Sequence, residues 1–366
     1  MRATCALLIL RIASGQEALW EQQMWQAHIL EEAGRYKEAK AIYQLVLQNA
    51  DTSSNFAVYN ATTWNNLALV DRNLGNFAEA REEYMHALAL FELARSANSP
   101  EYATVLQNLG ALCHYEGQFD EAARTLVRAL KIRQETLSEN HGSTAQTMNS
   151  LGAVYLMQGH YAEAERLCKR ALEIREKELG PVHPEVAAVL DNLAALYSKK
   201  RKYAAALDLR LRSYEIMRGA YGEAHPATAR AMNELAAEYD NLGRYSEAEV
   251  LLRHGLEVEL RTLGENALDV ANTLANLAAV CASQGSREEP EALWRRALSI
   301  YERTPGAHQQ RLVITLENYA NMLRRSGRKL EARKLERRAR AISAQLKESD
   351  WGRFSVDLSD LLSMRK

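Results

Sequence analysis

One feature limits what this chain can fold into: it repeats itself every 42 residues. Stepping from Leu67 by that interval gives Leu109, Leu151, Leu193, Leu235, Leu277 and Tyr319. The next residue is Ala68, Gly110, Gly152, Ala194, Ala236, Ala278 and Ala320. Three positions before each leucine stand Trp64, Leu106, Met148, Leu190, Met232, Leu274 and Leu316, and six before stand Ala61, Ala103, Ala145, Ala187, Ala229, Ala271 and Val313. These offsets follow the i, i+3, i+4, i+7 spacing of one buried helical face.

Eight residues after each leucine the chain reads Gly75, Gly117, Gly159, Arg201, Gly243, Gly285 and Gly327. Glycine there supplies the left-handed residue that closes a helix. An aromatic residue then opens the next segment in five units (Phe77, Phe119, Tyr161, Tyr203, Tyr245). Two columns of small residues follow, beginning at Ala80 and Ala87, and they let a second helix lie close to the first. Each unit therefore reads as helix A, tight turn, helix B. A more degenerate unit with the turn Gly34-Arg35-Tyr36 precedes these, giving about eight hairpins from residue 16 to 347. One hairpin cannot bury its own apolar face, so stability must come from stacking neighbours. The predicted fold is all-α, a superhelical solenoid. Two positions break the pattern. Arg201 stands at a turn glycine, and Pro290 stands in the first small column, where the first turn of helix B would tolerate it.

The columns match the tetratricopeptide pattern W-x2-L-G-x2-Y, A-x3-F. In one unit it appears as Met148-x2-Leu151-Gly152-x2-Tyr155, then Ala164-x3-Cys168. The long period, with LGPVHPEVA at 179–187, resembles the repeat domain of kinesin light chains. The resemblance implies a concave groove that holds peptide segments of other proteins. No long heptad segment precedes the repeats, so the motor role of that family is not carried over.

Composition narrows the function. Lys+Arg total 46 and Asp+Glu 47, a net charge of -1, whereas a protein that coats nucleic acid would carry a basic excess. The four cysteines (Cys5, Cys113, Cys168, Cys281) lie far apart, which fits neither a zinc knuckle nor a disulfide scaffold and points to a reducing, cytoplasmic setting. No phosphate loop, zinc-protease or nucleophile-elbow motif occurs, and nearly every polar feature recurs once per hairpin. Catalysis needs unlike groups converging at one place, so no enzyme and no cofactor is expected.

The expected function is a protein-interaction scaffold. Helix A of each hairpin would line the groove, and it carries an amide at one of two adjacent positions nearly every time. The candidate residues are Asn66, Asn108, Asn149, Asn192, Asn233, Asn276 and Asn318, flanked by Arg230 and Arg324. An amide donates and accepts at once, which suits an extended peptide backbone. The same amides could instead bond to the neighbouring helix and lock the stack, and both readings stand at this point. His141, His183 and His225 form a column ahead of the A helices, too far apart to share one metal ion, and read as loop geometry. A column of His86, Arg128, Arg170, Arg212, His254, Arg296 and Arg338 on helix B reads as inter-repeat ion pairing. The run Lys199–Lys202 reads as a solvated turn. Arg324–Arg340 carries nine basic residues against two acids, which leaves a nucleic acid or anionic surface as the alternative partner.

The ends read differently. Residues 1–15 form a leading segment that resembles a short signal peptide interrupted by Arg11; if it is one, the protein is secreted or periplasmic. No apolar run is long enough to span a membrane. Residues 348–366 form an expected capping tail, whose acidic, Trp351-containing stretch 348–362 could lie against the basic last repeat.

Overall fold

The computed structural model describes residues 15–50, 56–303 and 309–349. The readings for the leading segment and for the tail beyond residue 349 lie outside these. Among the described residues there are sixteen α-helices and no strand. The A helices are α1 (Gly15–Glu32), α3 (Ala57–Leu74), α5 (Pro100–Tyr115), α7 (Gly142–Gln158), α9 (Pro184–Lys199), α11 (Pro226–Asn241), α13 (Leu268–Ser283) and α15 (Gln309–Arg325). The B helices are α2 (Tyr36–Gln48), α4 (Phe77–Leu93), α6 (Phe119–Thr136), α8 (Tyr161–Leu179), α10 (Tyr203–Tyr221), α12 (Tyr245–Leu263), α14 (Glu288–Arg303) and α16 (Lys329–Ser349). They alternate as A–B pairs, as the repeat demands.

The chain gathers into two units. The first holds residues up to His114 together with Phe119–Val154; the second holds Tyr115–Gln118 and everything from Tyr155 on. The division falls inside α7, at no break in the repeat. In the first unit, Ala27, Ala39, Tyr43, Leu67 and Val70 bury a core cluster across α1, α2 and α3. In the second, Leu274, Ala278, Trp294, Ala297, Leu316, Tyr319 and Ala320 do the same across α13, α14 and α15, with Trp294 stacked on Tyr319. The small columns serve close approach. A methyl group added to Gly110 would meet the Leu126 side chain at 2.7 Å, so α5 and α6 touch where only glycine fits.

The turn between helices A and B has one geometry. Gly75 is left-handed (φ 85°); its N–H donates to the Arg72 carbonyl, and the Asn76 N–H donates to the Asp71 carbonyl. This pair of bonds satisfies two of the carbonyls orphaned at the helix end. Arg201 adopts the same conformation (φ 56°), with its N–H on Ser198 and that of Lys202 on Tyr197. A Cβ in this region clashes with the following carbonyl. Arg201→Gly is therefore expected to stabilise the second unit by about 0.5–1 kcal/mol, after the greater unfolded-state entropy of glycine is discounted. A urea midpoint that falls or stays put would contradict this. Pro290 is buried in the first turn of α14, where its missing N–H costs no helical bond.

A second column of strained positions closes the B helices. Gly180, Gly222 and Gly264 share φ near 83–85° with extended ψ, a region open in practice only to glycine. Ser138 holds the equivalent place at φ 121°. This column also recurs at 42 residues.

Candidate peptide-binding face

The A helices begin alike. Nδ1 of His141, His183 and His225 each accepts the backbone N–H two residues on, at 3.1, 3.2 and 3.1 Å. Pro184 and Pro226 then open α9 and α11. The histidine column is thus a set of helix caps. No group of three or more His, Cys, Asp or Glu among the described residues is placed to hold a metal.

The face that carries the amide columns is built differently in the two units. In the first, Asn108 Nδ2 donates to Asn65 Oδ1 at 3.0 Å, and Asn65 Nδ2 donates to Asn66 Oδ1 at 3.0 Å. Asn66 in turn bonds the Tyr43 hydroxyl, which donates to Glu31. Burial, then Glu31, pushes the Tyr43 hydroxyl up, so it stays protonated and keeps donating. Beside this chain lies Arg133, nearly fully buried. Its guanidinium donates to Gln107 Oε1, to the Ser143 carbonyl at 2.7 Å, to Thr147 Oγ1 at 2.7 Å and to Thr104 Oγ1 at 3.1 Å. Thr147 also donates to Gln107 Oε1, at 2.7 Å.

In the second unit, Asn276 Nδ2 donates to Asn233 Oδ1 at 2.7 Å, and Asn233 Nδ2 donates to Thr273 Oγ1 at 3.0 Å. The Tyr301 hydroxyl donates to Asn272 Oδ1 at 2.7 Å. Between α9 and α11 the amides give way to charge. Arg210 reaches from α10 to Asp191 at 2.7 Å and to Glu234 at 2.9 Å. Burial pushes the Asp191 carboxyl above its ordinary range even though Arg210 pulls it down.

The structure therefore places five of the sequence-selected amides as follows. Asn108 and Asn276 are half-buried and reach the neighbouring A helix; Asn233 is buried and links two rungs; Asn149 and Asn192 are half-buried and bonded. Asn66 is half-buried, and Asn318 lies exposed. Of the flanking charges, Arg230 is exposed with no ion pair among the described residues, whereas Arg324 is taken by Glu336. Asn108, Asn233 and Asn276 thus bond across neighbouring A helices, which is the stack-locking arrangement. Sequence reasoning missed Arg133, Arg210 and Glu259: Arg210 interrupts an apolar column, and Arg133 and Glu259 share one with Phe91, Arg175, Met217 and Tyr301.

Three arginines of the helix B column pair across repeats. Arg128 meets Glu92, Arg212 meets Glu176 and Arg338 meets Glu302, each 36 residues back. In the basic last hairpin, Arg328 is also held, by Glu291 and Glu331. The run Lys199–Lys202 lies at the α9–α10 turn, with Lys200 on Glu165 and Lys202 over the Tyr197 ring. No described helix is long and apolar enough to cross a membrane.

The tetratricopeptide repeat profile matches residues 59–135, 115–177, 143–218, 185–261 and 269–345, and a second tetratricopeptide profile matches 23–51. The chain belongs to the tetratricopeptide repeat family. Its fold is similar to that of a Rap protein complexed with competence and sporulation factor (TM-score 0.64, 15% identity, covering 91% of this chain and 99% of that one). It is also similar to the Rap conjugation gene regulator of plasmid pLS20 in complex with the Phr* peptide (TM-score 0.64, 12% identity, 92% and 97%). A putative kinesin light chain from Podospora anserina with nearly identical repeats matches over 56% of this chain and 97% of that one, at 25% identity and TM-score 0.47. No protein among the curated sequences matches this tetratricopeptide chain.

Proposed function

We propose that this tetratricopeptide protein is a non-catalytic scaffold that holds an extended peptide segment of a partner protein along its A helices. The observation that carries the reading is the pair of amide chains. Each spends its N–H groups inward and leaves the carbonyl oxygen of its outermost amide, Asn108 or Asn276, without a donor among the described residues. Gln107 is the complement: Arg133 and Thr147 occupy its carbonyl oxygen, so its N–H groups are what it has to offer. Acceptors and donors spaced this way suit the alternating N–H and C=O groups of a peptide backbone, which would be held with little sequence preference. The complex of the pLS20 Rap regulator, which shares the fold, with the Phr* peptide agrees with this use of it.

The test is a randomised dodecapeptide library sorted against the wild-type protein and against Asn108→Ala and Asn276→Ala. Far-UV circular dichroism checks that each variant folds. Wild type is expected to recover binders whose affinity falls about tenfold in at least one variant, the equivalent of one lost backbone bond that leaves a group unpaired. Binders indifferent to both substitutions would refute the groove.

A further inference from the structure

The second unit's amide chain does not end at Thr273. The Thr273 hydroxyl donates to the carboxyl of Glu259 on α12, which is 1% exposed and whose Oε2 has no hydrogen-bond partner among the described residues. Every bond from the face to this acid points the same way: Asn276 to Asn233, Asn233 to Thr273, Thr273 to Glu259. Hydrogen bonds in series polarise one another, so an anion at the inner end makes the outermost carbonyl oxygen a better acceptor. A neutral Glu259 can instead turn its O–H toward Thr273 and compete with Asn233 for the same oxygen.

The equivalent columns three repeats earlier show the opposite sign. Arg133 stands where Glu259 stands, Gln107 where Asn233 stands, and Thr147 where Thr273 stands. There the buried group is a cation, and the chain runs outward from it. The same helix B column thus holds a buried cation beside the amide of one repeat and a buried acid beside that of another.

We propose that the protonation state of Glu259 sets the acceptor strength of the Asn276 amide, and so gates the hold of the α11–α13 face on a backbone N–H of the bound segment. This rests on the groove reading and names its regulation. The charged groups facing Glu259 are Arg230 from α11 and Asp269 from α13. Burial does most to push its carboxyl up, to about 7, with Asp269 adding to the rise while Thr273 and Arg230 oppose it. Its charge therefore changes across the neutral range. The exposed Arg230 disfavours a cationic donor at this place, which leaves a neutral backbone N–H as the group received.

Two measurements decide it. The side-chain amide nitrogen shifts of Asn233 and Asn276, followed by NMR from pH 5.5 to 8.5, should titrate together with a midpoint near 7 in the wild type and stay flat in Glu259→Gln. Dodecapeptides recovered from the library should bind about threefold tighter at pH 8 than at pH 6, and with no such ratio in Glu259→Gln. Flat shifts in the wild type, or a pH ratio that survives Glu259→Gln, overturn the gate and leave the groove standing. A library that yields no binder at either pH removes the groove, and the gate with it.

Discussion

Arg210→Leu is expected to destabilise the second unit by about 3–5 kcal/mol, and the triple variant Asp191→Asn, Arg210→Leu, Glu234→Asn is expected to regain nearly all of it. The reasoning starts from the repeat. Tyr84, Leu126, Cys168, Leu252 and Trp294 occupy the same helix B column as Arg210, and all are buried. Arg210 is buried too, with 7% of its side chain exposed, and its partners Asp191 and Glu234 keep 30% and 38%. Removing the cation alone leaves two partly desolvated carboxylates facing one apolar gap, which is the costly way to break a buried ion pair. Removing all three charges restores what the other hairpins use. Asn65, Asn149 and Asn233 share the Asp191 column, and Asn66, Asn108, Asn192 and Asn276 share that of Glu234. The triple variant also deletes the buried Arg210 Nε, which has no acceptor. A stacked array does not unfold all at once, so the readout is amide hydrogen exchange in α9, α10 and α11. Equal protection in the single and triple variants would show that the acids gain nothing from Arg210.

What could be read from the chain, and what could not, follows from periodicity. The buried faces, the turn glycines, the aromatic starts of the B helices and the left-handed Arg201 all recur, so comparing one unit with the next exposes them. The cross-repeat arginine pairs and the histidine caps were legible for the same reason. The buried charged groups were not, because they break their columns: Arg210 stands alone in an otherwise apolar buried one, and Arg133, Arg175 and Glu259 bring both signs into a column shared with Phe91, Met217 and Tyr301. Nor does sequence say where an amide points. Asn108 and Asn66 stand in the same column, yet one reaches across to the neighbouring A helix while the other bonds Tyr43. The division of the chain within α7 leaves no mark on the repeat at all.

The same logic of exceptions applies to the first unit, where Glu83→Gln is expected to stabilise by roughly 4 kcal/mol at pH 9 and by nothing at pH 4. Asp71 and Glu83 stand where other hairpins carry Tyr155, Tyr197 and Tyr239, and Leu167, Leu209 and Leu251. Asp71 is fully buried and is met by Lys40 at 2.6 Å and by Asn76 Nδ2 at 2.6 Å. Its other oxygen and Glu83 Oε2 have no other partner among the described residues, and the two carboxyl groups lie against each other. Burial first, then the Asp71 charge and the contact with it, push the Glu83 carboxyl from 4.5 up to about 8, against the pull of Lys40. Glu83 therefore keeps its proton at neutral pH. A carboxyl raised by folding favours the folded state fully below its unfolded value near 4.5, and that contribution drains away as pH climbs through about 8. Glutamine keeps a donor toward Asp71 and never ionises, so its stability curve should stay level where the wild-type curve descends. Urea unfolding of both proteins at half-unit steps from pH 4 to 9 checks this, and two parallel curves would mean that folding does not raise the Glu83 carboxyl. The descent should begin in α2, α3 and α4, which supply Lys40, Asp71 and Glu83, so hydrogen exchange in those helices should quicken first as the pH rises.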